Sequence, residues 1–153
     1  MLFRSRFSKD KSPYKTYTGI QFRHELGKDA HAPGFYLHLQ PKEVFVGAGI
    51  WHPDGPTLVR IREAIADDPK AWRAATRLGE RFELAGDSLK RAPAGYDPEH
   101  PLIDDLKRKD FICVARLSEK DVCAPGFVDA FVHMCRDVSP LVRFLCAALD
   151  APF

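Results

Sequence analysis

The chain has 153 residues, 45% of them hydrophobic and 29% charged, a size that one core can organise and a composition that argues against extensive disorder. No apolar run approaches the roughly 20 residues a bilayer span needs, and Met1-Leu2-Phe3-Arg4-Ser5-Arg6 lacks the apolar centre of a signal peptide. A single cytoplasmic domain without a membrane partner is therefore expected. The net charge of +2 hides an asymmetry: residues 1–28 hold seven cations against Asp10 and Glu25, a local balance of +5 that leaves −3 for the remainder. Such an excess attracts phosphates and other anions.

The N-terminal charge is densest in Arg6-Phe7-Ser8-Lys9-Asp10-Lys11-Ser12-Pro13-Tyr14-Lys15. Arginine clamps an oxyanion with paired N–H groups and lysine adds point charge, so Arg6, Lys9, Lys11 and Lys15 are candidate anion-binding residues. The plainer alternative is a solvated loop anchored by Phe7 and Tyr14. Thr18, Ile20 and Phe22 then alternate with Gly19, Gln21 and Arg23, which predicts a strand over 17–25. A loop should follow from Gly27 to Gly34. Strands over 35–40 and 44–51 come next, joined by Pro41-Lys42-Glu43, short enough for an antiparallel hairpin. Phe35, Leu37 and Leu39 share one face; Tyr36, His38 and Gln40 share the other. Within the second strand, Gly47-Ala48-Gly49 lacks the third glycine of a dinucleotide fingerprint and reads as small residues for close packing.

Asp54 and Pro56 mark a helix start, and Leu58, Ile61 and Ile65 give helical spacing over 56–67. Asp68-Pro69 opens a second helix with Ala71, Trp72, Ala75 and Leu78 on its apolar stripe, predicted to reach about Arg81. Residues 82–97 are turn-rich, with an extended piece at Leu89-Lys90-Arg91, and a brief helix is expected over 98–107. Phe111 to Leu117 reads as an interior strand. The last element, 126–150, is a helix that Pro140 should kink or split, and its apolar residues exceed one stripe. The fold class is thus α+β, a mostly antiparallel sheet with helices packed on one face.

Cys113, Cys123, Cys135 and Cys146 stand among apolar neighbours with no Cys-x-x-Cys pair, which predicts reduced and mostly buried thiols. No hydrolase elbow, phosphate-binding Walker loop or paired metal ligands occur, so neither a metal nor a cofactor is expected. Two functional classes stay open, with a structural or protein-partner role beside them. One is a binding module for an anionic ligand, a phosphorylated small molecule or nucleic acid. It would use Arg6, Lys9, Lys11 and Lys15, with Tyr36, His38, Lys90, Arg91 and Tyr96 contributing where loops converge. The other is an enzyme, such as a hydrolase, with His38, His52 or His100 as general acid or base.

The run Arg6 to Lys15, the hairpin text Pro33-Gly34-Phe35-Tyr36-Leu37-His38 with Glu43 to Trp51, and Leu89-Lys90-Arg91-Ala92-Pro93-Ala94-Gly95-Tyr96 resemble the family known as domain of unknown function 2461. The resemblance implies a soluble, mainly bacterial or fungal protein and supplies no catalytic residue. The resemblance also implies that members usually carry a helical segment ahead of the basic motif; the sequence given starts inside the strand that leads into that motif, as a natural short form or a truncated reading. Self-association through Leu2 to Phe7 and the uncovered side of the last helix is the expectation that follows.

Overall fold

Antiparallel strands alternate their side chains between two faces, and this chain fills one face to make its core. The computed structural model describes residues 16–24 and 32–153; the basic run Arg6 to Lys15 and most of the 27–34 loop lie outside them. The strands are β1 (Thr18–Phe22), β2 (Gly34–Gln40), β3 (Glu43–Ile50), β4 (Glu83–Ala85) and β5 (Phe111–Leu117). They form one sheet in the order β1-β2-β3-β5-β4, antiparallel at every pairing. The α+β class expected from the sequence is the one observed.

The helices are α1 (Gly55–Asp67), α2 (Pro69–Ala75), α3 (Ile103–Leu106), α4 (Glu119–Cys123) and α5 (Phe127–Ala148). Alternate strand residues Leu37, Val46, Ala48, Ile50, Phe111, Cys113 and Ala115 are buried in a cluster with Ile61 and Ile65 of α1, Trp72 of α2, and Val138, Leu141 and Leu145 of α5. Each such large side chain contributes about 1.5–3 kcal/mol on burial. Gly49 allows β3 and β5 to approach: its φ is +118°, and a Cβ there would overlap the Phe111 carbonyl oxygen.

Asp54 starts α1 by accepting the Thr57 N–H at 2.9 Å, and Asp68 does the same for Ala71 in α2. Several boundaries differ from the sequence reading. The first strand stops at Phe22. Helix α2 ends at Ala75, where the Thr76 hydroxyl donates to the Trp72 carbonyl at 3.0 Å and the chain turns through Gly79 at φ +73°; Leu78 and Phe82 reach the core from this turn. In the 82–97 stretch the extended piece lies at Glu83–Ala85, paired with β5, and only Ser88 continues it by bridging Arg108. Helix α3 is confined to four residues. The short α4, unforeseen, starts at a capping box in which Ser118 and Asp121 exchange hydrogen bonds, which also hold the Asp121 carboxyl below its ordinary range.

Helix α5 runs unbroken past Pro140. Proline deprives the Arg136 carbonyl of its usual N–H partner, and the Ser139 hydroxyl supplies the replacement at 2.8 Å. Cys113 and Cys146 are buried as expected, whereas Cys123 is exposed and Cys135 half-buried. Among the described residues no helix is long and apolar enough to cross a membrane.

Candidate functional site

The sheet face away from the core is built from the other half of the same strands. Strand pairing lines its residues up in rows across β2, β3 and β5: His38, Phe45 and Arg116; Tyr36, Gly47 and Val114; Gly34, Gly49 and Ile112. Gly19 and Gln21 of β1 lie beside His38 and Tyr36. A trough of about 790 Å³ lies over this face. The charged residues at its walls are Arg23, Lys42, Glu43 and Arg116, three cations and one acid.

Four rings pack together at one end. Tyr17 stacks on His38 with centroids 5.0 Å apart and planes at 19°, and Phe45 covers the opposite face of the imidazole at 4.6 Å and 11°. Tyr36 leans on both at 5.9 and 5.8 Å. The polar atoms form a chain along β2: Tyr36 Oη is 2.9 Å from His38 Nδ1, and His38 Nε2 is 3.0 Å from Gln40 Oε1. A carbonyl oxygen at Nε2 requires the proton there, so Nδ1 accepts from the Tyr36 hydroxyl. Burial, and then the neighbouring Tyr17, pushes the Tyr36 phenol above its ordinary range, which keeps it a donor. With both ring faces covered and both nitrogens partnered, His38 shapes the wall of the trough and has no free nitrogen for proton transfer.

Of the residues singled out from the sequence, Tyr36 and His38 meet in the trough. Lys90, Arg91 and Tyr96 are not among its lining residues. Lys90 and Arg91 follow the Ser88 bridge beside the start of β5, and Tyr96 packs against the core, its phenol pushed up by burial and by Glu63 and Asp67 against the opposing pull of Arg62. Arg6, Lys9, Lys11 and Lys15 lie outside the described residues. Tyr17, Lys42, Phe45, Gly47 and Arg116 are trough residues the sequence reading missed. Phe45 and Gly47 follow from the parity of Tyr36 and His38 once the hairpin turn is counted; Arg116 depends on the β3–β5 pairing, for which no local signal exists.

The other histidines divide clearly. His100 Nδ1 accepts the Leu102 N–H at 3.0 Å, a structural role. His52 follows Trp51, which lines the trough, and stacks on it at 4.2 Å. Its Nδ1 is 3.4 Å from Oδ1 of Asp110, with side-chain exposures of 64% and 1%. Asp110 also accepts the backbone N–H groups of His52 at 2.8 Å and Asp87 at 2.9 Å, and so ties the end of β3 to the turn after β4. Buried Arg62, also missed, donates to the Leu106 and Arg108 carbonyls and closes the end of α3. A second concavity of about 660 Å³ lies between the turn after α2 and α5; Arg77, Glu80, Arg81 and Asp137 mix both signs of charge there. Among the described residues no His, Cys, Asp and Glu cluster suits a metal ion.

Helices on one side of an antiparallel sheet and a ring-lined trough on the other define an α+β protein with one sheet face left open by the described residues. Its family is shown by a family model, described as conserved hypothetical protein (DUF2461), that matches residues 4–144; the chain belongs to that family. No match was found among curated proteins or among solved structures.

Proposed function

We propose that the protein is a binding module for an anionic ligand, a phosphorylated small molecule or nucleic acid, held in the trough on the open face. The observation that carries this reading is the excess of cations, Arg23, Lys42 and Arg116, around a trough otherwise walled by rings and apolar groups. A trough of that size is in the range of small-molecule sites. In sequence, Lys15 stands two residues before Tyr17, whose ring covers His38. Titration calorimetry with phosphorylated metabolites and oligonucleotides tests the reading. Arg116→Ala with Lys42→Ala should weaken binding at least tenfold, and for duplex DNA each lost phosphate contact should flatten the log–log salt slope by about 0.9. Alanine at Lys9, Lys11 and Lys15 should do the same if the basic run takes part. Unchanged affinity and slope in both variants would remove this function.

A second reading, an enzyme of the hydrolase type, is favoured by one observation. Among the described residues, His52 is the only one of the three candidate histidines with a carboxylate beside it, and a buried aspartate at Nδ1 orients an imidazole for proton transfer at Nε2. Turnover of p-nitrophenyl acetate or phosphate that His52→Ala abolishes and Asp110→Asn reduces would support it; turnover that survives His52→Ala would not.

Self-association belongs to the same set of proposals. Leu2 to Phe7 lie outside the described residues; among those described, Ile20 and Phe22 on β1, an edge strand of the described sheet, with Val128 and Val132 on α5, are exposed apolar side chains, and Phe22 lies 5.4 Å from Phe131, which joins the two elements into one patch. A second copy is the natural cover, because an edge strand pairs with its own symmetry mate in a self-complementary contact. Sedimentation at low micromolar concentration should show a dimer; a monomer there ends the idea. A cytoplasmic setting is supported by the four free thiols.

A further inference from the structure

Three segments of chain meet at one carboxylate. Asp110, the residue before β5, has a side chain only 1% exposed, and its two oxygens are divided between two backbone donors. Oδ1 accepts the His52 N–H at 2.8 Å and Oδ2 the Asp87 N–H at 2.9 Å. Gly86 makes this division possible. Its φ is +98°, and a Cβ there would run into Asp110 Cβ and Oδ2, so a side chain at 86 would push the carboxylate off the Asp87 N–H.

The side chain at position 52 gives the arrangement a second use. His52 stands at φ +49°, and a turn that needed only an N–H for Asp110 would be better served there by glycine. The imidazole adds its own contact with the same carboxylate, Nδ1 lying 3.4 Å from Oδ1. At that distance the contact is electrostatic, longer than a good hydrogen bond. A bare lone pair on Nδ1 would face the negative oxygen, whereas a proton there is attracted to it. Nδ1 therefore carries the proton of the neutral ring, and Nε2 carries the lone pair. The other two candidate histidines take the opposite form. His100 Nδ1 accepts the Leu102 N–H and His38 Nδ1 accepts from the Tyr36 hydroxyl, so both hold their proton on Nε2. Of the three, His52 alone has its lone pair on Nε2, in an imidazole 64% exposed and stacked on Trp51 at the trough.

We infer that Gly86 and Asp87 are positioning residues for a proton-accepting site at His52 Nε2, whose substrate is a water or a ligand hydroxyl. The inference rests on the hydrolase reading above and deepens it. As the hydroxyl oxygen attacks an ester carbon or phosphorus, Nε2 takes its proton and the nearby Asp110 offsets the imidazolium charge. The bond to the leaving oxygen then breaks, and that oxygen takes the proton back from Nε2. Gly86 and the Asp87 N–H touch neither partner; they act by holding Asp110 under the ring.

Long-range proton–nitrogen correlation NMR on the isotopically labelled full chain, at a pH where histidines are neutral, reads the tautomer of each ring. His52 should be protonated on Nδ1, and His38 and His100 on Nε2. Gly86→Ala should shift His52 to the Nε2–H form that free histidine prefers in water, and should leave His38 and His100 unchanged as a check on the fold. With p-nitrophenyl acetate the same variant should lose at least tenfold in kcat at unchanged KM. His52 protonated on Nε2 in the parent chain overturns the inference, as does a folded Gly86→Ala with the parent's tautomer or kcat. Asp110→Asn keeps the size of the side chain and removes its charge, and serves if Gly86→Ala does not fold; an unchanged tautomer there overturns the inference too. If the tautomers are as expected and neither p-nitrophenyl ester is turned over, the hydrolase reading fails while the positioning of His52 stands.

Discussion

The two faces of the sheet are made from alternate residues of the same strands, yet they obey different rules. On the helix side, Val46, Ile50, Phe111 and Cys113 are almost wholly buried and are met by apolar side chains from α1, α2 and α5. On the open side the matching positions hold glycines, rings, a hydrogen-bonded histidine and an arginine. Folding explains the first set completely, because each member removes apolar surface from water. It explains the second set poorly, since a trough and a guanidinium with no side-chain partner among the described residues add little to stability. Residues that the core does not need are where a binding role is best sought.

Substitutions at neighbouring positions on opposite faces sharpen this contrast. Phe111→Ala should cost about 3–5 kcal/mol in denaturant unfolding, through lost burial and the cavity left beside Trp72. The next residue, half-buried Ile112 at the trough, should cost at most about 1.5 kcal/mol as alanine. Equal costs would show that the open face is packed as tightly as the core and would end the comparison.

Titration provides a second test. Burial pushes the Cys113 thiol up to about 12 from 9.0. The unfolded chain therefore ionises this group at lower pH than the folded one, and its contribution to stability is complete below pH 9 and lost as the pH rises toward 12. The slope approaches about 1.4 kcal/mol per pH unit inside that window. Cys113→Ala should remove this part of the slope, and alkylation near pH 8 should label exposed Cys123 while sparing Cys113. Labelling of Cys113 at the same rate would mean that the core face is open to solvent.

The two glycines of β3 supply a smaller effect. Gly49→Ala forces a residue with a Cβ into φ +118° and against Phe111, which should cost about 1–3 kcal/mol for the strained backbone alone. Gly47→Ala, free of both problems, should change stability by about 1 kcal/mol or less. A large loss at Gly47 would mean that the packing there needs glycine. Also small, Tyr36→Phe removes the hydroxyl that donates to His38 and should cost about 0.5–1.5 kcal/mol, visible as a modest shift in thermal midpoint. No change would show that the Tyr36–His38–Gln40 chain does not order the wall of the trough.

Much of this architecture was legible without coordinates, for a reason that can be stated residue by residue. Period-two alternation in Phe35 to Gln40, the short connection Pro41-Lys42-Glu43, whose Glu43 joins the strand, and the continuous apolar run from Phe111 to Leu117 are local signals, and the expected strands form there. The Asp54 and Asp68 caps with their following prolines placed the first two helix starts. The same local logic put Tyr36 and His38 on one face. It failed where a local rescue was overlooked or where a neighbour distant in sequence decides. Pro140 does not split α5, because Ser139 satisfies the carbonyl that the proline orphans. Glu83 to Ala85 becomes a strand only because β5 offers an edge, and Leu78 reaches the core from a turn, not from a longer helix. Sequence alone thus determined the strands, the caps and which residues alternate together, since these depend on a few adjacent positions. Tertiary structure decided that Arg116 stands beside Phe45, that Asp110 lies under His52, and that Lys90, Arg91 and Tyr96 sit away from the trough. Strand pairing brings together residues tens of positions apart, and the side-chain pattern of one strand does not encode which partner it will meet.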